Sequence, residues 1–343
     1  MDGGEAEVAR TSLWWREVVA PYEQSNDARA AFQLMTTWAA LIGVFWLAHS
    51  ALALSPWIAL ALAVPAAGLF VRTFIVMHDC GHGSFFGSRK LNSLVGWIAG
   101  VITLTPFGQW RRDHARHHAS SGDLNRRGHG DVKTLTAREF AALSRTAQWG
   151  YRLLRHPVVL FGFGPFHLIF TQRICPRGTP LLSPERRSVW STNCGIACLL
   201  AGVAWLSGWR VLLLVYLPAI YLAAAVGIWL FYVQHQFEET YWQPHAEWDY
   251  VTASIRGSSY LKLPFILRWF TGDIGVHHVH HLSPRIPNYR LRRCHDENRV
   301  FHEVTTLTAR DTVRTFRLAL WDEDRQRLVS FADAASRIAE RHP

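Results

Sequence analysis

The sequence predicts an all-α integral membrane protein, with four transmembrane helices in two hairpins and a cytosolic helical cap that carries clusters of histidine. Three observations lead there. The 343-residue chain is 49% hydrophobic and only 18% charged. Its apolar residues gather in long uncharged runs separated by arginine-rich loops, the distribution of a chain embedded in a bilayer. Its 18 histidines, moreover, concentrate in short clusters close to the ends of those runs.

In chain order, residues 1–30, MDGGEAEVARTSLWWREVVAPYEQSNDARA, open acidic and show no basic-then-apolar leader. They predict a cytosolic, partly amphipathic lead-in, with Trp14 and Trp15 lying at the bilayer surface. A membrane domain follows over 31–288. Within it four runs approach the roughly 20 residues needed to cross a hydrocarbon core of about 30 Å. They are Ala31 to Leu54, Trp57 to Met77, Val189 to Trp209 and Val211 to Val233. Arg72, inside the second run, must reach a headgroup or find partners within the protein.

Two further apolar stretches need a different reading. LNSLVGWIAGVITLTPFGQW, residues 91–110, is long enough to cross, but Gly96, Gly100, Pro106 and Gly108 interrupt it. Crossing would also hold the histidines on its two sides at opposite membrane faces, so a re-entrant or in-plane segment is expected. PVVLFGFGPFHLIFT, residues 157–171, is shorter and glycine-broken, which predicts an interfacial segment. The remainder, 289–343, is expected to be a cytosolic helical segment, with TLTARDTVRTFRLALWDEDRQRLVSFADAASRIAERHP reading as amphipathic.

Net charge is +10, which by itself would suit nucleic acid. Its distribution argues otherwise. Between Arg111 and Arg187 stand 14 Arg or Lys against 5 Asp or Glu, whereas SALALSP after the first run carries no charge. This is positive-inside asymmetry, and it puts the basic segments, the histidine clusters and both termini in the cytoplasm. With no binding motif beside the charge, no nucleic-acid partner is expected. The five cysteines form no C-x-x-C pair, and Cys194 and Cys198, on one face of the third run, read as packing residues.

The histidine clusters carry the chemistry. HDCGH supplies His78 and His82, HARHH supplies His114, His117 and His118, and VHHVHHLSP supplies His277, His278, His280 and His281. At about 100° per residue, His78 and His82 lie about 40° apart on one helix face. The second cluster occupies an arc of roughly 100°, and His277, His280 and His281 reproduce that arc, while His278 points elsewhere. Imidazoles gathered on the faces of several helices are what a metal site in a bundle core needs. His235, at the end of the fourth run, adds a ninth candidate. Nine ligands exceed the roughly four of one tetrahedral ion and suit two ions with open positions. Imidazole alone does not choose among zinc, copper, iron and nickel. His245 is a reserve candidate. Asp79, Asp113, Asp123 and Asp273 adjoin the clusters and are candidates to orient imidazole N–H groups.

HDCGHGSFF, HARHHASSGDLNRRG, FYVQHQFE and GDIGVHHVHHLSPRIPNY resemble the histidine boxes of the membrane fatty acid desaturase family, most closely the bacterial type that acts on acyl chains of membrane lipids. The resemblance spans roughly residues 30 to 300. It implies an oxidoreductase of the bacterial inner membrane with two non-haem iron ions and O2 as co-substrate. The ligands it implies are His78, His82, His114, His117, His118, His277, His280 and His281, with His235 as the extra histidine. GDLNRRG and LSPRIPNY favour a desaturase over a hydroxylase or ketolase on the same scaffold; a metal transporter is the reading from another class. His129, in GHGD, has no role in the pattern.

The resemblance also implies an acyl-lipid substrate held in an apolar channel, for which Phe85, Phe86, Trp97, Trp110, Phe231 and Trp269 are candidate walls. A separate electron donor, ferredoxin, flavodoxin or similar, is implied as well. Arg126, Arg127, Arg186 and Arg187 are candidates to dock it.

Overall fold

The computed structural model describes residues 14–128, 132–175 and 178–341. Four helical stretches among them are long and apolar enough to cross a membrane: Asp27–Ala51, Pro56–His82, Pro184–Ser207 and Trp209–His235. They fall where the sequence predicts spans. Their starts are written in the sequence too. The Asn26 side chain accepts the Arg29 N–H, Ser55 accepts from Trp57 beside Pro56, and Ser183 accepts from Arg186 beside Pro184. Each cap satisfies a donor that the first turn of a helix leaves free.

We label the elements that matter here α1 (Asp27–Ala51), α2 (Ala63–His82), α3 (Arg89–Ile102), α4 (Phe107–Ser120), α5 (Pro184–Ser207), α6 (Leu217–His235), α7 (His277–Leu282) and α8 (Asn288–Glu297). α2 is the innermost span, packed against α1, α3 and α6. It stops at Gly83, whose φ of +71° closes the helix in the left-handed conformation glycine adopts without strain. Arg72 of α2 pairs inside the protein. Its Nε donates to Thr37 Oγ1 at 3.0 Å, its NH1 donates to the Trp269 carbonyl, and its guanidinium lies 4.1 Å over the Trp269 ring.

The stretch 91–110 does not run straight. α3 and α4 are bent by 102° relative to each other at the Thr103–Pro106 break. Gly96 permits their close approach, since a Cβ there would lie 2.4 Å from the Phe107 ring. Because the His82 and His114 rings end up 5.0 Å apart, the chain between them starts and finishes at the same level. Residues Val158–Thr171 are bent by 63° from Arg145–Arg155 and expose Val158, Phe163, Phe166 and Phe170.

Two expectations need correction. The chain is mostly helical but not all-α, and 289–343 is not wholly helical. β1 (Leu135–Thr136) pairs in parallel with β4 (Leu318–Asp322), which forms an antiparallel hairpin with β5 (Arg327–Ser330). A second small sheet pairs β2 (Tyr260–Lys262) with β3 (Thr306–Thr308). The physical reason is burial: Ala319, Leu320, Trp321, Leu328 and Val329 are enclosed against Phe140, Tyr151 and Trp242, and four successive buried residues in β4 leave it without the alternating faces of a surface helix. Second, Cys194 and Cys198 are exposed on the outer surface of α5 rather than packed. The lead-in contacts the rest of the protein: Trp15 packs on Tyr250 at 6.1 Å between rings, and Tyr22 donates to Glu297 at 2.6 Å.

Candidate metal centre

The C-terminal end of α2, the C-terminal half of α4, the last residue of α6 and the whole of α7 meet. Three of these positions follow from local rules already given: the helical phase of α4 and α7, and the glycine stop just after His82. The candidate ligand nitrogens of His78, His82, His114, His118 and His280 all lie within 4.8 Å of one another. Those of His117, His235 and His281 do the same. His277 joins the second group, its Nε2 lying 3.0 Å from His235 Nε2. The two groups adjoin, with the His118 and His281 rings stacked at 4.2 Å. All nine candidate histidines are thus brought together.

Several of these contacts make no sense as hydrogen bonds alone. His235 Nδ1 lies 3.0 Å from the Gly257 carbonyl, which only accepts, so Nδ1 carries the proton and Nε2 presents its lone pair. That lone pair faces two other imidazole nitrogens, His117 Nε2 at 3.3 Å and His277 Nε2 at 3.0 Å. Likewise His78 Nδ1 lies 2.9 Å from the Asp79 carboxylate, which leaves its Nε2 as an acceptor. His118 Nε2 meets both His114 and His280 Nε2 at 3.1 Å. Among the described residues, His82 Nε2 and His281 Nε2 are buried without a hydrogen-bond partner. Buried polar atoms normally find partners, and a shared cation on the lone-pair side would supply what these lack.

Electrostatics point the same way. Burial first, then the adjacent imidazoles, hold His277, His280 and His281 well below the ordinary value of 6.5. They are therefore neutral near pH 7, the form in which imidazole binds metals. The clusters fit a two-ion, nitrogen-rich site.

Residues beside the clusters sort differently. His278 turns away and meets His295, Nε2 to Nδ1, at 3.2 Å. Asp79 is the adjoining carboxylate that reaches a box histidine. Asp113 pairs with Arg116, and Asp273 with Arg268. Asp123 holds His245 at 2.7 Å, with Arg126 on the other ring nitrogen at 2.9 Å, which accounts for the reserve histidine. His129 lies outside the described residues.

A cavity of about 520 Å³ opens from the histidines between α2, α4 and α6. Its walls run from His78 to Phe70 along α2 and from Gln234 to Ile220 along α6. At 1.5 Å per residue the α6 wall is about 21 Å long. Of the aromatic residues proposed as channel walls, Trp110 and Phe231 line it. The other four do not. Phe85 and Phe86 belong to a separate core, Trp97 is partly exposed on α3, and Trp269 carries Arg72. Sequence proximity to a box was a poor guide here, because a helix turns most neighbours of a ligand away from the ligand's face. The better signal was small residues on the face of α6, where Ala223, Ala224 and Gly227 line the space.

Fold and site together define a protein with four helices long and apolar enough to cross a membrane, adjoining histidine clusters that could hold metal ions, and an elongated apolar cavity leading to them. The chain belongs to the fatty acid desaturase family, whose pattern matches residues 55–305. It is 40% identical to a fatty acid desaturase of Bacillus subtilis (strain 168), over 95% of this chain and 93% of that protein. The chloroplastic omega-3 fatty acid desaturase of Glycine max is 31% identical, over 73% of this chain and 56% of the relative. The sn-1 acyl-lipid omega-3 desaturase (ferredoxin) of Synechocystis sp. is 29% identical, over 66% of this chain and 63% of the relative. The chain is a fatty acid desaturase, an oxidoreductase.

Proposed function

We propose that the protein inserts a double bond into an acyl chain of a membrane lipid, using O2 and two non-haem iron ions. The observation that carries this reading is the continuity of the apolar cavity with the histidine clusters, His78, His114, His117 and His277 forming part of its lining. His78, His82, His114, His118 and His280 would hold one ion, and His117, His235, His277 and His281 the other. When bound, the pair of ions supplies O2 activation. The overall change takes one hydrogen from each of two adjacent methylenes, two electrons and two protons from outside, and one O2. It yields a carbon–carbon double bond and two waters.

The chain's own contribution is positional. A methylene offers neither charge nor hydrogen bond, so selectivity has to come from shape and placement. Phe70, Val71, Phe74 and Ile75 on α2 face Ala223, Ala224 and Gly227 on α6 across the cavity. A chain between them is held with its carbons in line with the histidine end and with water excluded by apolar walls. Neutral, buried imidazoles keep the site free of competing protons.

In this reading α1 with Pro56–His82, and α5 with Trp209–His235, are two hairpins of the bacterial inner membrane whose histidine ends, with the cap of α7 and α8, face the cytoplasm. Electrons arrive from a separate protein such as a ferredoxin or flavodoxin. Of the four arginines considered for its docking, Arg127 is held in a two-pronged ion pair with Glu139 and Arg186 donates to the Thr179 carbonyl, whereas Arg126, which reaches His245 and Asp123, and Arg187 are both exposed. Charge reversal at Arg126 and Arg187 together should slow donor-supported turnover and flatten its dependence on salt; unchanged rates at every salt concentration would remove this surface from the account.

An enzyme and a metal transporter are separated by one substitution. His117→Ala should abolish formation of unsaturated product in an expressing host and leave cellular metal uptake as it was. Altered metal flux with unchanged lipids would overturn the reading.

A further inference from the structure

A buried chain of polar contacts links one proposed metal position to the segment that follows the third histidine cluster. Asp79 is 1% exposed, Asn288 2% and His78 4%. One carboxylate oxygen of Asp79 lies 2.9 Å from His78 Nδ1. The other accepts two hydrogen bonds from a single residue, from the Asn288 backbone N–H at 2.6 Å and from its Nδ2 at 2.8 Å. Asn288 opens α8 directly after Pro287, which has no capping side chain of its own, so a carboxylate 209 residues away in sequence satisfies this helix start. Gly272, at φ +56°, leaves room for it: a Cβ there would lie 3.2 Å from Asn288 Oδ1.

We propose that Asn288 and Asp79 are positioning residues for His78, holding its Nε2 lone pair toward the first of the two metal positions and leaving the second position untouched. The chemistry is direct. A carboxylate can only accept, so it fixes the proton on His78 Nδ1 and leaves the lone pair on the opposite nitrogen. The carboxylate can do so only while its own plane is fixed, and the two N–H groups of Asn288 fix it. The asymmetry follows from membership: His78 lies with His82, His114, His118 and His280, apart from His117, His235 and His281.

The inference rests on the two-ion reading above, and its test separates the two. The full chain in lipid nanodiscs, stripped by chelator, is titrated with Co(II) and followed by visible absorption and metal analysis. Wild type should take up two Co(II) per chain. Asp79→Asn should weaken one of them roughly 10–100-fold and leave the affinity and spectrum of the other unchanged. Asn288→Ala, which retains the backbone N–H and so the helix start, should weaken the same one by a smaller factor; it decides the question alone if Asp79→Asn does not accumulate. Wild type binding fewer than two Co(II) would contradict the two-ion reading itself. Wild type binding two, with both variants indistinguishable from it or weakened equally at both positions, would overturn the inference alone.

Discussion

His278 Nε2 lies 3.2 Å from His295 Nδ1, outside both histidine groups, of which His280 joins one and its other neighbours His277 and His281 join the second. Four histidines in one short segment therefore have two kinds of surroundings. Burial and His295 together push His278 down to about 3, so it stays neutral, packed between Tyr260, His295 and Phe301. His278→Ala should keep most of its bound iron and a measurable share of activity while losing thermal stability, by about 1–3 kcal/mol for the buried partner left behind. His277→Ala, His280→Ala and His281→Ala should each lose iron and all product. Iron analysis and lipid profiling of the four variants check this; equal loss at all four would refute the division.

The cavity predicts a substitution that separates substrate from metal. A Cβ added at Gly227 would meet nothing within 4 Å, and the residue lines the space between α2 and α6. Gly227→Leu should therefore fold, bind two irons and obstruct the acyl chain. Overfilling a packed site costs about 1–3 kcal/mol, so conversion should fall roughly tenfold or more. Iron content and product yield measured on one preparation give the answer; unchanged yield would mean that the chain runs elsewhere.

Acid should release the metal before it unfolds the spans. His277, His280 and His281 have pKa values below the ordinary 6.5 in the folded protein, so the unfolded chain binds more protons in the window beneath that value. Their contribution to stability is accordingly complete above about pH 6.5 and is lost progressively as pH falls below it. Bound metal adds to the same trend, since only neutral imidazole holds it. Iron retention and melting temperature, followed from pH 8 to pH 5, should both fall below about 6.5. A melting temperature that rises on acidification would reverse the sign and refute the account.

Much of this was legible in the sequence for a physical reason. A lipid-crossing helix needs a run of apolar residues with polar caps, and Asn26, Ser55 and Ser183 stand where the spans begin. Helical phase alone separated His278 from its neighbours. The small sheets were not legible, because β1 has two residues and its partner strand begins at Leu318, too short and too distant for any local period. Asn288 was missed for the same reason. Nothing near NYRLRR signals that it reaches Asp79, a contact made only when the first and third clusters meet. Trp110 and Phe231 line the cavity as expected, but Phe85, Phe86, Trp97 and Trp269 do not, because closeness in sequence to a ligand does not give the face on which a side chain emerges.

Fatty acids from the membrane lipids of a host expressing the wild-type chain, resolved by mass spectrometry, test the central claim most directly. The account predicts acyl chains that have lost two hydrogens and gained one double bond at a fixed position, absent when His117 is replaced by Ala. Chains that carry a new hydroxyl group and no new double bond, formed by active iron-loaded protein, would contradict it.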